Sequence, residues 1–230
     1  MKSCAIVPAF DAAETVGGVV EDLRARLEAP IIVVDDGSGD ATGEVAATRG
    51  ALVVRHEQNR GKGAALRSGL REAERRGFDV AVTVDADGQH PAASARELLD
   101  ASGGARALVL GIRDLLRDGA PKRNRLGNQV SNFFVSFFAR RQLRDTQCGL
   151  RRYPVREALA LGVRSDGYAF EAEIVLRAIA AGLPIVEVPI AVLYPPDTQR
   201  RTHFRGVLDP VRIVASVAAT VLELRLRGMG

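Results

Sequence analysis

Two aspartates one residue apart, Asp85 and Asp87, close the apolar run Val82-Thr83-Val84 and lead into Gly88-Gln89-His90-Pro91. Side chains at i and i+2 of an extended segment point the same way, so both carboxylates can approach one divalent cation and a diphosphate that it bridges. Hard oxygen donors of this kind select Mg²⁺ or Mn²⁺ over zinc. A solvated Asp-Gly turn would look the same in isolation, so the neighbouring segments decide. Asp35-Asp36-Gly37-Ser38 ends a second apolar run, and acidic strand ends at the carboxyl edge of a sheet are where nucleotides bind in doubly wound folds. The first run ends in Pro8-Ala9-Phe10-Asp11, where a dinucleotide-binding dehydrogenase would need GxGxxG. Asn59-Arg60-Gly61-Lys62-Gly63 lacks the spacing of a P-loop, yet it opens a helix and can offer backbone N–H groups and Lys62 to a phosphate.

These segments need strands and helices to bring them together. Apolar runs at Cys4–Val7, Ile31–Val34, Leu52–Val54, Val80–Val84 and Leu108–Leu110 alternate with helical patterns at Ala12–Leu27, Ala41–Thr48 and Gly63–Arg76. The rhythm is βαβ and predicts a mostly parallel sheet covered on both faces. Further on, Leu126, Val130, Phe133, Phe134, Phe137 and Phe138 make a stripe at helical spacing. Packing of this stripe on the sheet is favoured over contact with lipid. From Leu208 to Arg227 the polar positions Asp209, Arg212, Ser216, Thr220, Glu223 and Arg227 recur every three or four residues, a narrow polar stripe on an otherwise apolar helix. Arg212 and Glu223 argue against burial of that helix in lipid. It is expected to lie on a membrane, dock on a partner or pack on the domain.

The 230 residues carry 32 basic and 28 acidic side chains, 47% hydrophobic residues and two cysteines. The net charge of +4 divides into −4 over residues 1–112, +8 over 113–164 and zero over 165–230. An acidic first half disfavours a nucleic-acid coat and leaves one local anion site. Cys4 and Cys148 belong to no CxxC pair, which excludes a metal cluster and suits a reducing compartment. No apolar segment is long enough for a bilayer span, so the expected location is cytoplasmic, peripheral at the cytosolic face of a membrane.

Read together, nine motifs resemble the family 2 glycosyltransferases of GT-A fold, and within them the dolichol- or polyprenol-phosphate sugar transferases. They are Pro8-Ala9-Phe10, Val34-Asp35-Asp36-Gly37-Ser38, Asn59-Arg60-Gly61-Lys62-Gly63, Asp85-Ala86-Asp87-Gly88-Gln89-His90, Gly111-Ile112-Arg113, Arg125-Leu126-Gly127-Asn128, Asp145-Thr146-Gln147-Cys148-Gly149, Phe170-Glu171-Ala172-Glu173 and Val186-Glu187-Val188-Pro189. The resemblance implies an α/β GT-A domain over 1–205, with a donor nucleotide and metal half at 1–112 and an acceptor half at 113–205. Residues 206–230 form a C-terminal amphipathic helix. It implies nucleotide-sugar contacts from Pro8, Ala9, Phe10, Asp36, Lys62, Asp85 and Ala86, and a metal held by Asp85, Asp87 and Gln89. Acceptor phosphate falls to Arg113, Arg125 and Asn128, and Arg201, with Arg200, His203 and Arg205, to a loop closing over the diphosphate. The family usually has Tyr-Asn-Glu after Pro-Ala, where this chain has Phe10-Asp11-Ala12.

The expected reaction is inverting transfer of a hexose from a nucleoside-diphosphate sugar, of GDP-mannose or UDP-glucose type, to a polyprenyl phosphate. Fixed positive charge stabilises the diphosphate leaving group. A phosphate acceptor is already anionic at neutral pH. A hydroxyl acceptor on a glycan, lipid or metabolite is the alternative and needs a carboxylate base, with Asp145 the first candidate and Glu171 the second. A non-catalytic nucleotide-sugar or lipid-phosphate binding module is the third reading, disfavoured by the intact acidic pair.

Overall fold

The computed structural model describes residues 1–115, 122–193 and 208–226, with backbone alone for 122–127, 130 and 208–212. Strands β1 (Ser3–Ala9), β2 (Ile31–Asp35), β3 (Leu52–Arg55), β4 (Val80–Thr83), β5 (Leu108–Arg113), β6 (Arg151–Pro154) and β7 (Ile185–Ile190) form one sheet of order β3-β2-β1-β4-β6-β5-β7. Every described pairing is parallel except those of β6, which runs antiparallel to β4 and β5.

Side chains alternate across the sheet with the period of two that an extended chain imposes. Cys4, Ile6, Ile32, Val34, Leu108 and Leu110 face one core, and Ala5, Val7, Ile31, Val33 and Val109 face the other. Helices α1 (Val16–Arg26), α2 (Thr42–Thr48) and α4 (Ala92–Asp100) cover the second face. The first is covered by α3 (Lys62–Arg75), α5 (Lys122–Ala139), α6 (Val155–Ala160), α7 (Phe170–Ala180) and α8 (Leu208–Leu226). The five strands read from hydropathy are present and end within two or three residues of the expected positions.

Strand β6 escapes a hydropathy reading because it begins with two arginines, Arg151 and Arg152, both essentially buried. Arg152 Nη1 donates to the Leu99 and Ala101 carbonyls, and its Nη2 donates to the carbonyl of Gly104. Backbone carbonyls thus solvate a charge that water cannot reach. Strand β7 contains Pro189 and lies at the sheet edge, where a residue without an N–H is tolerated.

Helix α5 departs from the expected packing, and α8 takes the packed alternative of the three expected for it. The phenylalanine stripe of α5 does not pack on the sheet. Val135 is buried and Phe138 is half-buried against the core, but Phe133 and Phe137 are 66% and 65% exposed and stack on each other at 6.3 Å. Hydrogen bonds set the rotation of the helix. Thr146 N donates to Asn132 Oδ1 at 2.7 Å, and Gln147 Nε2 donates to Ser131 Oγ at 2.9 Å. These bonds turn the polar side of α5 inward. Leu126 and Val130 lie outside the described side chains. Helix α8 packs on α5 and α7, also with its polar stripe inward. Ser216 Oγ meets Ser165 Oγ at 2.9 Å, Thr220 is buried, and Arg177 Nη2 donates to Glu223 Oε2 at 2.6 Å. Ala215, Ala218, Ala219, Leu222 and Leu226 face outward; Asp209, Arg212 and Arg227 lie outside the described side chains.

A pair of glycines tests the packing. A Cβ at Gly69 of α3 would lie 2.5 Å from Ile6 Cγ2, whereas one at Gly18 of α1 meets nothing within 4 Å. Gly69→Ala is expected to destabilise the fold by about 1–3 kcal/mol through overpacking. Gly18→Ala should stabilise it by about 0.5–1 kcal/mol through backbone entropy. Urea denaturation midpoints check both.

Candidate active site

In a parallel sheet every loop that leaves a strand end lies along one edge, and here that edge collects the acidic motifs. Strand β4 delivers Asp85 and Asp87. Lys62, the first residue of α3, reaches Asp85 Oδ1 at 2.7 Å and Glu171 Oε1, in the first turn of α7, at 2.9 Å. Burial alone would lower the Lys62 ammonium, but the Asp85 and Glu171 charges raise it well above its ordinary value. Asp85 shows the converse: burial would raise its carboxyl, and the Lys62 charge, helped by His90 and Arg113, holds it low. Asp87 is pushed up to about 6, first by the desolvation of the cleft and then by the charge of Asp85. Burial lowers His90 to about 4, so this imidazole is neutral at physiological pH.

Because β6 is antiparallel, its start rather than its end lies at this edge, with Arg151 paired to Thr83 and to Leu110. The preceding turn, 145–149, is thereby set between β4 and β5. Thr83 Oγ1 donates to the Gly149 carbonyl at 2.6 Å, and a Cβ at Gly149 would collide with Asp85 Oδ2. Only glycine leaves room for that carboxylate. Asp145 is fully buried and paired side-on with Arg113: Nε donates to Oδ2 at 2.7 Å and Nη2 to Oδ1 at 3.0 Å. Burial would raise the Asp145 carboxyl, yet the Arg113 charge and hydrogen bonds hold it low. A buried carboxylate with a lowered pKa and both oxygens taken is not a general base, which corrects that assignment of Asp145.

The nucleotide side is also more fully bonded than its motifs suggest. Asp36 is 3% exposed; it meets His56 Nδ1 at 2.6 Å and accepts the N–H groups of Arg60 and Gly61 at 3.0 and 2.7 Å. It acts as a strut for the Gly61 loop. The N–H groups of Gly63 and Ala64 donate to the Asp166 carbonyl at 2.6 and 3.2 Å. These donors are taken within the protein, a correction to the reading of them as a phosphate cradle. A cavity of about 280 Å³ lies beside Asp36, lined by Gly37, Ser38, Arg55, His56 and Glu57. Asp11, at a left-handed φ of 47°, donates its N–H to Ser38 Oγ and accepts from the Gly39 N–H, tying the first loop to the second. Pro8 and Phe10 are half-buried beside this loop, whereas Ala9 and Ala86 are buried.

Of the remaining predicted residues, Gln89 is half-buried and its carbonyl accepts from Leu193 N–H at 2.8 Å. That bond sets Leu193 beside the loop that carries the acidic pair. Asn128 is buried, and among the described residues its Oδ1 has no hydrogen-bond partner. Arg125 and Arg201, with Arg200, His203 and Arg205, lie outside the described side chains. Sequence reasoning missed His56 and Arg151, and placed Gly149 in a motif without a role of its own. Only the closeness of Arg151 to that motif offered a signal, and His56 offered none.

A parallel α/β sheet with one inserted antiparallel strand and an acidic pair at its carboxyl edge defines a GT-A nucleotide-sugar transferase. Glucosyl-3-phosphoglycerate synthase from Mycobacterium tuberculosis superposes with a TM-score of 0.75 over 96% of this chain and 80% of that one, at 20% identity. Residues 4–154 match glycosyl transferase family 2, and the chain belongs to that family. Polyprenol monophosphomannose synthase of Mycolicibacterium smegmatis is 33% identical over 203 residues, covering 82% of this chain and 76% of the relative. The UDP-N-acetylglucosamine–dolichyl-phosphate N-acetylglucosaminyltransferase of Methanococcus voltae is 29% identical over 214 residues, 82% of this chain and 84% of the relative.

The Lys62 bridge is open to direct test. Lys62→Met strands two carboxylates in the interior and is expected to cost about 3–5 kcal/mol. Adding Glu171→Gln should recover part of that loss. Equilibrium urea unfolding of both variants provides the measurement.

Proposed function

We propose that this enzyme transfers a hexose, with inversion, from a nucleoside-diphosphate sugar to a polyprenyl phosphate at the cytosolic face of a membrane. The observation that carries this reading is the juxtaposition at one sheet edge of the Asp85–Asp87 pair and Arg113, joined through the 145–149 turn, whose Gly149 abuts the Asp85 carboxylate and whose Asp145 pairs with Arg113. A leaving diphosphate needs the acidic pair with a cation; an anionic acceptor needs the arginine. Both named relatives pair a sugar donor with a polyprenyl-type acceptor and differ in the sugar, so lipid phosphate is the shared chemistry.

The donor set suits Mg²⁺ or Mn²⁺. Desolvation and, after it, the charge of Asp85 raise Asp87, and a divalent cation offsets the repulsion between the two carboxylates. Among the described residues no group of three or more His, Cys, Asp or Glu side chains could hold a metal ion. Asp85, Asp87 and Gln89 would therefore share the ion with diphosphate oxygens. When bound, it supplies fixed positive charge against the departing diphosphate. The protein positions the two substrates on opposite sides of the anomeric carbon, and Lys62 keeps Asp85 ionised. With Asp145 held by Arg113 and Glu171 bridged to Lys62, both candidate bases are engaged, which favours an acceptor that needs none, because a phosphate monoester is anionic at pH 7.

Peripheral membrane contact is supported by the outward faces of α5 and α8. Phe133, Phe137, Leu222 and Leu226 are each more than 60% exposed on helices that pack together, and Arg140 and Arg225 are exposed near their ends. Apolar residues flanked by arginines suit an anionic headgroup layer. No helix among the described residues is long and apolar enough to cross a membrane. The buried free thiols of Cys4 and Cys148 fit the reducing side of that membrane.

Asp87→Asn is expected to lower kcat at least roughly a hundredfold with the unfolding midpoint preserved. In the unaltered enzyme the matching nucleotide-sugar should raise Tm only with Mn²⁺ present; full activity of the variant in excess chelator overturns the metal assignment. A double variant, Phe133→Asp with Phe137→Asp, should lose co-sedimentation with anionic vesicles while turning over a short-chain, water-soluble prenyl phosphate normally. Retained vesicle binding would remove these helices from the membrane contact.

A further inference from the structure

We propose that Asp145 is a positioning residue of the acceptor site, holding the Arg113 guanidinium in one fixed orientation toward an acceptor phosphate. The inference rests on the reading of Arg113 given above and adds the residue through which that arginine acts. Asp145 spans both sides of the guanidinium's Nε–Nη2 edge, and its Oδ2 also lies 3.3 Å from the Arg113 backbone N–H. Such a two-point fork fixes the plane of the group as well as its place.

The carboxylate is itself immobilised. Gln147 N–H donates to Asp145 Oδ1 at 3.1 Å, closing the turn. Arg151, with no exposed surface, donates Nη2 to the Thr146 carbonyl at 2.8 Å, Nε to that of Cys148 at 2.8 Å and Nη1 to that of Glu171 at 2.7 Å. Thr146 is tied in turn to Asn132 of α5. Arg113 on β5, the 145–149 turn and α5 are thus one hydrogen-bonded unit. Arg113, whose side chain keeps 18% of its surface exposed, has its rotamer set before an anion arrives, which removes an ordering cost from binding.

A buried ion pair is weak grounds for stability, since an apolar pair of similar volume would serve the fold as well. Orientation of Arg113 is what the carboxylate adds. No proton moves to or from Asp145 in this role.

The test is a double-mutant cycle of Asp145→Asn and Arg113→Ala, with steady-state kinetics on a short-chain prenyl phosphate and the nucleotide-sugar. Asp145→Asn is expected to raise the acceptor KM about tenfold, the scale of one charge-assisted hydrogen bond, with donor KM and kcat within about twofold. In the Arg113→Ala background Asp145→Asn should add almost nothing, because the two act as a unit. Additive effects, equal loss on donor and acceptor, or a fall in kcat at constant acceptor KM each overturn the proposal. If Arg113→Ala alone leaves the acceptor KM unchanged, the acceptor assignment of Arg113 fails as well. Asn132→Ala, at the rim of the same turn, guards against a folding defect in Asp145→Asn: it should raise the acceptor KM in the same direction by a smaller factor, and an unchanged value counts against the unit.

Discussion

Four carboxylates, Asp35, Asp36, Asp85 and Asp87, arrive at one edge of the sheet because parallel strands deliver their loops there. Their mutual repulsion must be met by partners drawn from distant parts of the chain. Lys62 supplies the ammonium between Asp85 and Glu171, Arg55 lies 3.5 Å from Asp35, and His56 with two backbone N–H groups satisfies Asp36. Only Asp87 is left at the rim with a raised carboxyl. The site is therefore mostly neutralised from within, and its remaining demand for positive charge is concentrated where a cation and a diphosphate would sit.

The reversed direction of β6 has its largest consequence at the Arg113 end of the sheet edge. Inserted between β4 and β5, it brings its leading turn to the edge where its neighbours finish, so Gly149 touches the Asp85 side and Asp145 takes Arg113. The cost is a central strand that begins with two arginines. Carbonyl oxygens from the 146–148 turn, α7 and the end of α4 meet that cost, and in doing so they lock the turn to its surroundings.

The two outer helices show how tertiary hydrogen bonds override amphipathic pattern. An isolated helix with the stripe of α8 would turn its serine, threonine and glutamate to water. Here they meet Ser165 and Arg177, and alanines and leucines are turned outward instead. In α5 the pull of the 145–147 turn on Ser131 and Asn132 places two phenylalanines in solvent. Both rotations leave apolar side chains exposed on two helices that pack together.

Periodicity and motif order made the parallel sheet, the donor strands and the family legible in the chain, because hydrophobic alternation and strand-end carboxylates are local properties. The pairing of Lys62 with Asp85 and Glu171, the conversion of Asp145 from candidate base to partner of Arg113, and the closure of the α3 head by the Asp166 carbonyl were decided by tertiary structure alone. Each joins residues between 23 and more than 100 positions apart, and which of several carboxylates meets which cation depends on strand order and direction. Residue types determined what chemistry this protein can hold; the antiparallel placement of one arginine-headed strand decided which side chains perform it, because charge pairing acts through space and not along the chain.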